Sequence, residues 1–127
     1  MKLGVLGGTF DPVHNGHIRM AEQARETLGL DMVYFVPAGQ PRTRHEGGVT
    51  PPGHRLMMLR RAVDGRTGLK VSVMEIDRPG PSYTVDTMRE MRRRYGEEAE
   101  LYFILGSDSL AALERWHEPQ ELLSLCR

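Results

Sequence analysis

A single cysteine, Cys126, occurs in the 127 residues, so no intrachain disulfide can form and the fold has to be held by burial. Charge of one sign is not in excess either. The 17 Lys plus Arg balance 17 Asp plus Glu, so no overall field draws the chain to nucleic acid or to an anionic membrane, and any preference for anions has to be local. No apolar run reaches the length of a membrane span or a signal peptide. Internal repeats and low-complexity tracts are missing, while 39% hydrophobic residues argues against disorder. The expectation is a cytoplasmic protein with no membrane or nucleic-acid partner. It forms one domain over residues 1–127, of a size that buries roughly two-thirds of its unfolded surface.

What is present is concentrated near the N-terminus. Leu3, Gly4, Val5 and Leu6 form a short apolar run of the kind buried on both faces of a parallel sheet, and Gly7 and Gly8 are expected to end it. Pro12 rules out an uninterrupted helix. Asn15 is the expected N-cap of a helix carried by Ile18, Met20, Ala21, Ala24 and Leu28 and closed by Gly29. Strand, Gly-rich turn and helix N-terminus is an arrangement in which amide N–H groups and the helix dipole converge on an anion. His14 and His17, three residues apart, can lean to the same side of the first turn and stabilise charge that builds up during substitution at phosphorus. The rival readings are a plain helix cap and a metal pair. The metal pair needs a further ligand, for which Asp11 is the nearby candidate.

Later stretches repeat the alternation of strand and helix. Residues 32–36, ended by Pro37, read as a second strand, 71–74 as a third and 101–105 as a fourth; residues 54–63 and a stretch through Met91 read as helices. The pattern is that of a doubly wound, Rossmann-like α/β fold, with ligands bound beyond the carboxyl ends of the strands. A Gly/Pro-rich loop with Arg42, Arg44 and His45 lies there, either as a solvated connector or as a ligand loop. Arg55 either faces a phosphate or is solvated. Ser82 or Thr84 is a candidate helix cap. Arg89, Arg92, Arg93 and Arg94, answered by Glu97, Glu98 and Glu100, read as an exposed helix side. Asp108, after the fourth strand, could bind a ribose hydroxyl or cap a helix. Trp116 is either a core residue or, amid Glu114, Arg115, His117 and Glu118, an indole face that stacks on a planar ligand.

The motif GGTFDPVHNGH resembles the signature of the T/HxGH nucleotidyltransferases, in the form found in bacterial nicotinate mononucleotide adenylyltransferases. The runs DRPGPSYTVDT and GSDSLAALERWHEPQEL are similar to later segments of the same family, so the likeness extends over the whole chain. The resemblance implies adenylyl transfer from ATP to nicotinate mononucleotide, in NAD biosynthesis, with Mg²⁺ accompanying ATP and no protein metal ligand named. It implies that Gly7, Gly8, Thr9 and Phe10 hold the nucleotide phosphates through main chain and that His14 and His17 are catalytic. Arg44 stands where the family has a phosphate-contacting Lys, and Asp108 makes a sugar or phosphate-side contact. Thr84, Trp116 and His117 bind the nicotinate end. A sibling reaction with phosphopantetheine or nicotinamide mononucleotide as acceptor, or a non-catalytic mononucleotide module, stays open, as does a homo-oligomer. Family members continue through a fifth strand and an I-S-S-T-x-I-R segment, so the expected sheet order is 3-2-1-4 with the fourth strand at an edge.

Overall fold

A computed structural model describes residues 1–39, 50–78, 83–105 and 116–126. Four parallel strands form one sheet in the order β3-β2-β1-β4: β1 (Lys2–Gly8), β2 (Met32–Pro37), β3 (Leu69–Val71) and β4 (Glu100–Ile104). β1 is central, with Leu3 opposite Met32 on one side and Leu101 on the other. The helices are α1 (Asn15–Leu28), α2 (Pro52–Val63), the one-turn α3 (Met74–Asp77), α4 (Thr84–Tyr95) and α5 (Pro119–Leu125).

The two-residue period of the strands divides the core into two layers. Leu3, Val5, Val36 and Leu101 pack with Val85, Met88 and Met91 of α4 and Leu122 of α5. Leu6, Val33, Phe35 and Leu69 pack with Ile18 and Ala21 of α1 and Leu59 and Val63 of α2. The sheet is therefore covered on both faces, as the apolar strand runs require. Each fully buried Leu or Phe in these layers contributes roughly 1.5–3 kcal/mol of transfer free energy. Gly4 shows how close the second layer approaches: a Cβ there would lie 2.8 Å from the Leu30 side chain and 3.1 Å from that of Ile104.

Several boundaries differ from expectation for tertiary reasons. β1 does not stop at the glycines, because Gly7 and Gly8 still pair with Val36 and Pro37. The third strand is Leu69–Val71 instead of 71–74. Met74 is drawn into the core and opens α3, and its neighbour Glu75 is buried beside Thr87. α2 begins at Pro52, since proline suits a first helical turn whose N–H has no intrahelical partner. β4 spans Glu100–Ile104, one residue earlier than expected. α1 ends as expected, with Gly29 at φ 66°, ψ 40° and its N–H donating to the Arg25 carbonyl.

Candidate active site

The carboxyl end of β1 turns through Thr9 and Phe10 into α1. Phe10 is 3% exposed and has φ 51°, a left-handed conformation uncommon for a bulky residue. Its ring packs on Phe35 at 5.7 Å and edge-on to His17 at 5.0 Å and 76°. Asp11 is held at the turn by the Thr50 N–H, which donates to its Oδ2 at 2.8 Å.

The N-cap of α1 is His14, in place of the expected Asn15. The Gly16 N–H donates to His14 Nδ1 at 3.1 Å, and the His14 N–H donates to His17 Nδ1 at 3.0 Å. The two imidazoles thus form the reciprocal cap that Ser and Glu build elsewhere, satisfying two amides that the helix leaves over. A ring nitrogen that accepts an N–H carries no proton, so each neutral ring is the Nε2–H tautomer. The rings stack at 3.7 Å and 27°, and the Nε2–H of each lies across its ring from the nitrogen that accepts the capped amide. Burial, and then the proximity of His14, pull the His17 pKa below its usual 6.5, favouring this neutral state. A Cβ on Gly16 would lie 2.9 Å from the His14 ring, so only glycine leaves that ring its place.

The second half of the site lies across β4. The Phe103 ring would sit 3.6 Å from a Cβ at Gly7, and Trp116 packs edge-on to Phe103 at 5.6 Å and 73°. Next to Trp116, His117 stacks on Tyr83 at 4.2 Å and 23°. Thr84 follows Tyr83 as the first residue of α4, and so is next in sequence to the ring on which His117 stacks. Thr84 does not cap the helix as anticipated: the cap position belongs to Tyr83 and has no side-chain bond. Ser82, Arg42, Arg44, His45 and Asp108 lie outside the described residues.

Sequence reasoning misjudged two groups. Arg55 is neither solvated nor on an open surface but 1% exposed, donating to four backbone carbonyls. The signal was present: Arg55, Leu59 and Val63 fall on one helical face, and all three are buried. Of the α4 arginines, Arg93 and Arg94 are exposed as expected, whereas Arg89 and Arg92 are half-buried and, apart from the bond of Arg92 to the Glu97 carbonyl, turn to other partners. Arg89 bonds to Asp86, Glu118 and Glu121, and Arg92 to the carbonyls of Gly96, Ala99 and Leu125, tying α4 to α5. Among the described residues no group of three or more His, Cys, Asp or Glu could hold a metal ion, and no helix is long and apolar enough to cross a membrane.

A Dehalococcoides mccartyi protein named "Probable nicotinate-nucleotide adenylyltransferase" is 45% identical over all 127 residues, and the chain spans 62% of its length. The fold is that of a Vibrio parahaemolyticus crystal structure (TM-score 0.80, 16% identity, 98% of this chain and 69% of that one). It is also that of a Plasmodium falciparum nicotinic acid mononucleotide adenylyltransferase complexed with NaAD (TM-score 0.77, 19% identity, 95% and 59%). Residues 5–127 match the cytidylyltransferase-like family, and the chain, with its Gly-rich turn and histidine-capped helix, belongs to it.

Proposed function

We propose that these residues form the nucleotide-binding part of an enzyme that transfers the adenylyl group of ATP to nicotinate mononucleotide, giving nicotinate adenine dinucleotide and pyrophosphate. The acceptor phosphate oxygen attacks the α-phosphorus in line. One P–O bond forms as the bond to the β-phosphate bridge breaks, and no covalent enzyme intermediate is needed. The observation that carries the reading is the stacked, neutral His14 and His17 pair, whose two Nε2–H groups supply fixed donors to the oxygens on which negative charge grows. Main chain of Gly7, Gly8, Thr9 and Phe10 holds the phosphates, with Arg44 reaching the triphosphate and Asp108 a sugar or phosphate-side group. Trp116, with Thr84 and His117, receives the pyridine ring and its carboxylate, a reading supported by the packing of Trp116 on Phe103, the stack of His117 on Tyr83 and the names the relatives carry.

Nucleotidyltransferases of this kind work with a divalent cation. The turn offers imidazoles and amides, which do not suit magnesium, and the carboxylate of Asp11, whose Oδ2 accepts the Thr50 N–H, so Mg²⁺ would be held chiefly by ATP oxygens and water. The substrates are small soluble molecules, which fits a cytoplasmic setting. The test is pyrophosphate release from ATP and Mg²⁺. It is expected with nicotinate mononucleotide and not with nicotinamide mononucleotide or phosphopantetheine, and to fall at least about tenfold (~1.4 kcal/mol of barrier) in His17→Gln. Release with a different acceptor, or unchanged turnover in the variant, would overturn the assignment.

A further inference from the structure

The proposed phosphate turn contains a conformation that cannot hold itself. A left-handed Phe10 costs on the order of 1–3 kcal/mol and persists only where surrounding groups over-determine it. The surrounding group is Arg55, from α2, 46 positions away in sequence from the carbonyl it engages. One Nη1 amine donates to the Thr9 carbonyl at 2.9 Å and to the Ala38 carbonyl at 2.7 Å. Nε donates to the Thr50 carbonyl at 2.8 Å, and Nη2 reaches the Gly39 carbonyl at 3.5 Å. Among the described residues no carboxylate bonds to this buried guanidinium, although Asp11 is near enough to favour its charge. Burying a cation on carbonyls alone is costly, and a hydrophobic residue on the same helical face would pack at lower cost.

The geometry explains what that cost achieves. Among the described peptide bonds only Asp11–Pro12 is cis, so the Thr9–Phe10 peptide is trans, and its carbonyl and N–H point in opposite directions. Turning the Thr9 carbonyl inward to Arg55 therefore aims the Phe10 N–H outward, away from α2. We propose that Arg55 is a positioning residue: by holding the Thr9 and Ala38 carbonyls together it locks the left-handed Phe10 and aims the Phe10 amide at the phosphates of the bound nucleotide. This rests on the adenylyltransferase reading and adds the residue that preorganises its phosphate site.

The experiment is calorimetric titration of the 127-residue chain with ATP and, separately, with nicotinate mononucleotide, for wild type and Arg55→Lys. Lysine keeps the charge but lacks the fork that spans two carbonyls. The expected result is at least a tenfold rise in the Kd for ATP, with the Kd for nicotinate mononucleotide within twofold. Equal weakening of both, as a purely structural role would give, or no change in either, overturns the proposal while leaving the adenylyltransferase reading in place. Should the variant not fold, the Phe10 amide of wild type decides. Its ¹⁵N–¹H signal is expected to shift and its hydrogen exchange to slow on saturation with ATP, and a signal that stays put at saturation overturns the aiming role. Wild-type chain that binds no ATP refutes both the adenylyltransferase reading and the role given to Arg55.

Discussion

His17 carries two duties on one ring, and the neutral Nε2–H tautomer serves both. Its Nδ1 caps α1 only while it has a lone pair, so a proton there breaks the bond from the His14 N–H. Because burial and His14 hold the folded pKa below 6.5, the unfolded chain binds more protons than the folded one between that lowered value and 6.5. Stability from this residue is thus complete above 6.5 and is lost as pH falls through the window. The thermal midpoint of wild type should decline between pH 7 and pH 5.5 more steeply than that of His17→Gln. The Oε1 of glutamine can accept the same N–H without titrating. Parallel slopes in a melting series would show that His17 is not the group responsible.

At the scale of elements, the connection from β3 into α4 is organised around a buried acid. Glu75 Oε2 accepts the Thr87 hydroxyl at 2.5 Å, and Arg78 Nη1 donates to the same oxygen of Thr87 at 3.1 Å. Arg78 continues to Glu90, which pairs with Arg94. Gly39 is pressed against this turn so closely that a Cβ would lie 2.5 Å from the Glu75 carbonyl, leaving glycine as the residue that fits. Burial raises the Glu75 pKa above 4.5, outweighing the Thr87 bond and the Arg78 charge, while Asp86 adds to the rise. The folded state therefore holds its proton longer than the unfolded one, and stability declines as pH rises from 4.5 through the raised value. Glu75→Gln keeps an acceptor for Thr87 and removes the buried charge. Its urea midpoint relative to wild type should be higher at pH 7 than at pH 4.5, and a difference independent of pH would contradict this account.

Across the whole molecule, the sheet separates two cores that share no side chain among the described residues. Val63 belongs to the layer under α1 and α2, and Val85 to the layer under α4 and α5. Each truncation to Ala should cost roughly 1–3 kcal/mol, and the double variant should lose their sum within about 0.5 kcal/mol in urea unfolding. Coupling well beyond that would mean that the sheet transmits packing strain between its faces. β1 leads into the histidine turn, and its parallel neighbour β4 carries Phe103, on which Trp116 packs.

The order of elements, the doubly covered parallel sheet and the His14–His17 pair were legible from residues near one another in the chain. Apolar runs of strand length, a glycine turn and a three-residue spacing act through local backbone geometry and periodicity. What only the tertiary structure decided depends on partners far apart in sequence. Arg55 is bonded to carbonyls of Thr9 and Ala38, Glu75 is buried against Thr87, β3 is cut short by the burial of Met74, and Tyr83 meets His117. A charged residue in a sequence reads as solvated until something shows which carbonyls or hydroxyls surround it. That information exists only once the chain has folded, because burial and hydrogen bonding between distant residues are properties of the packed molecule.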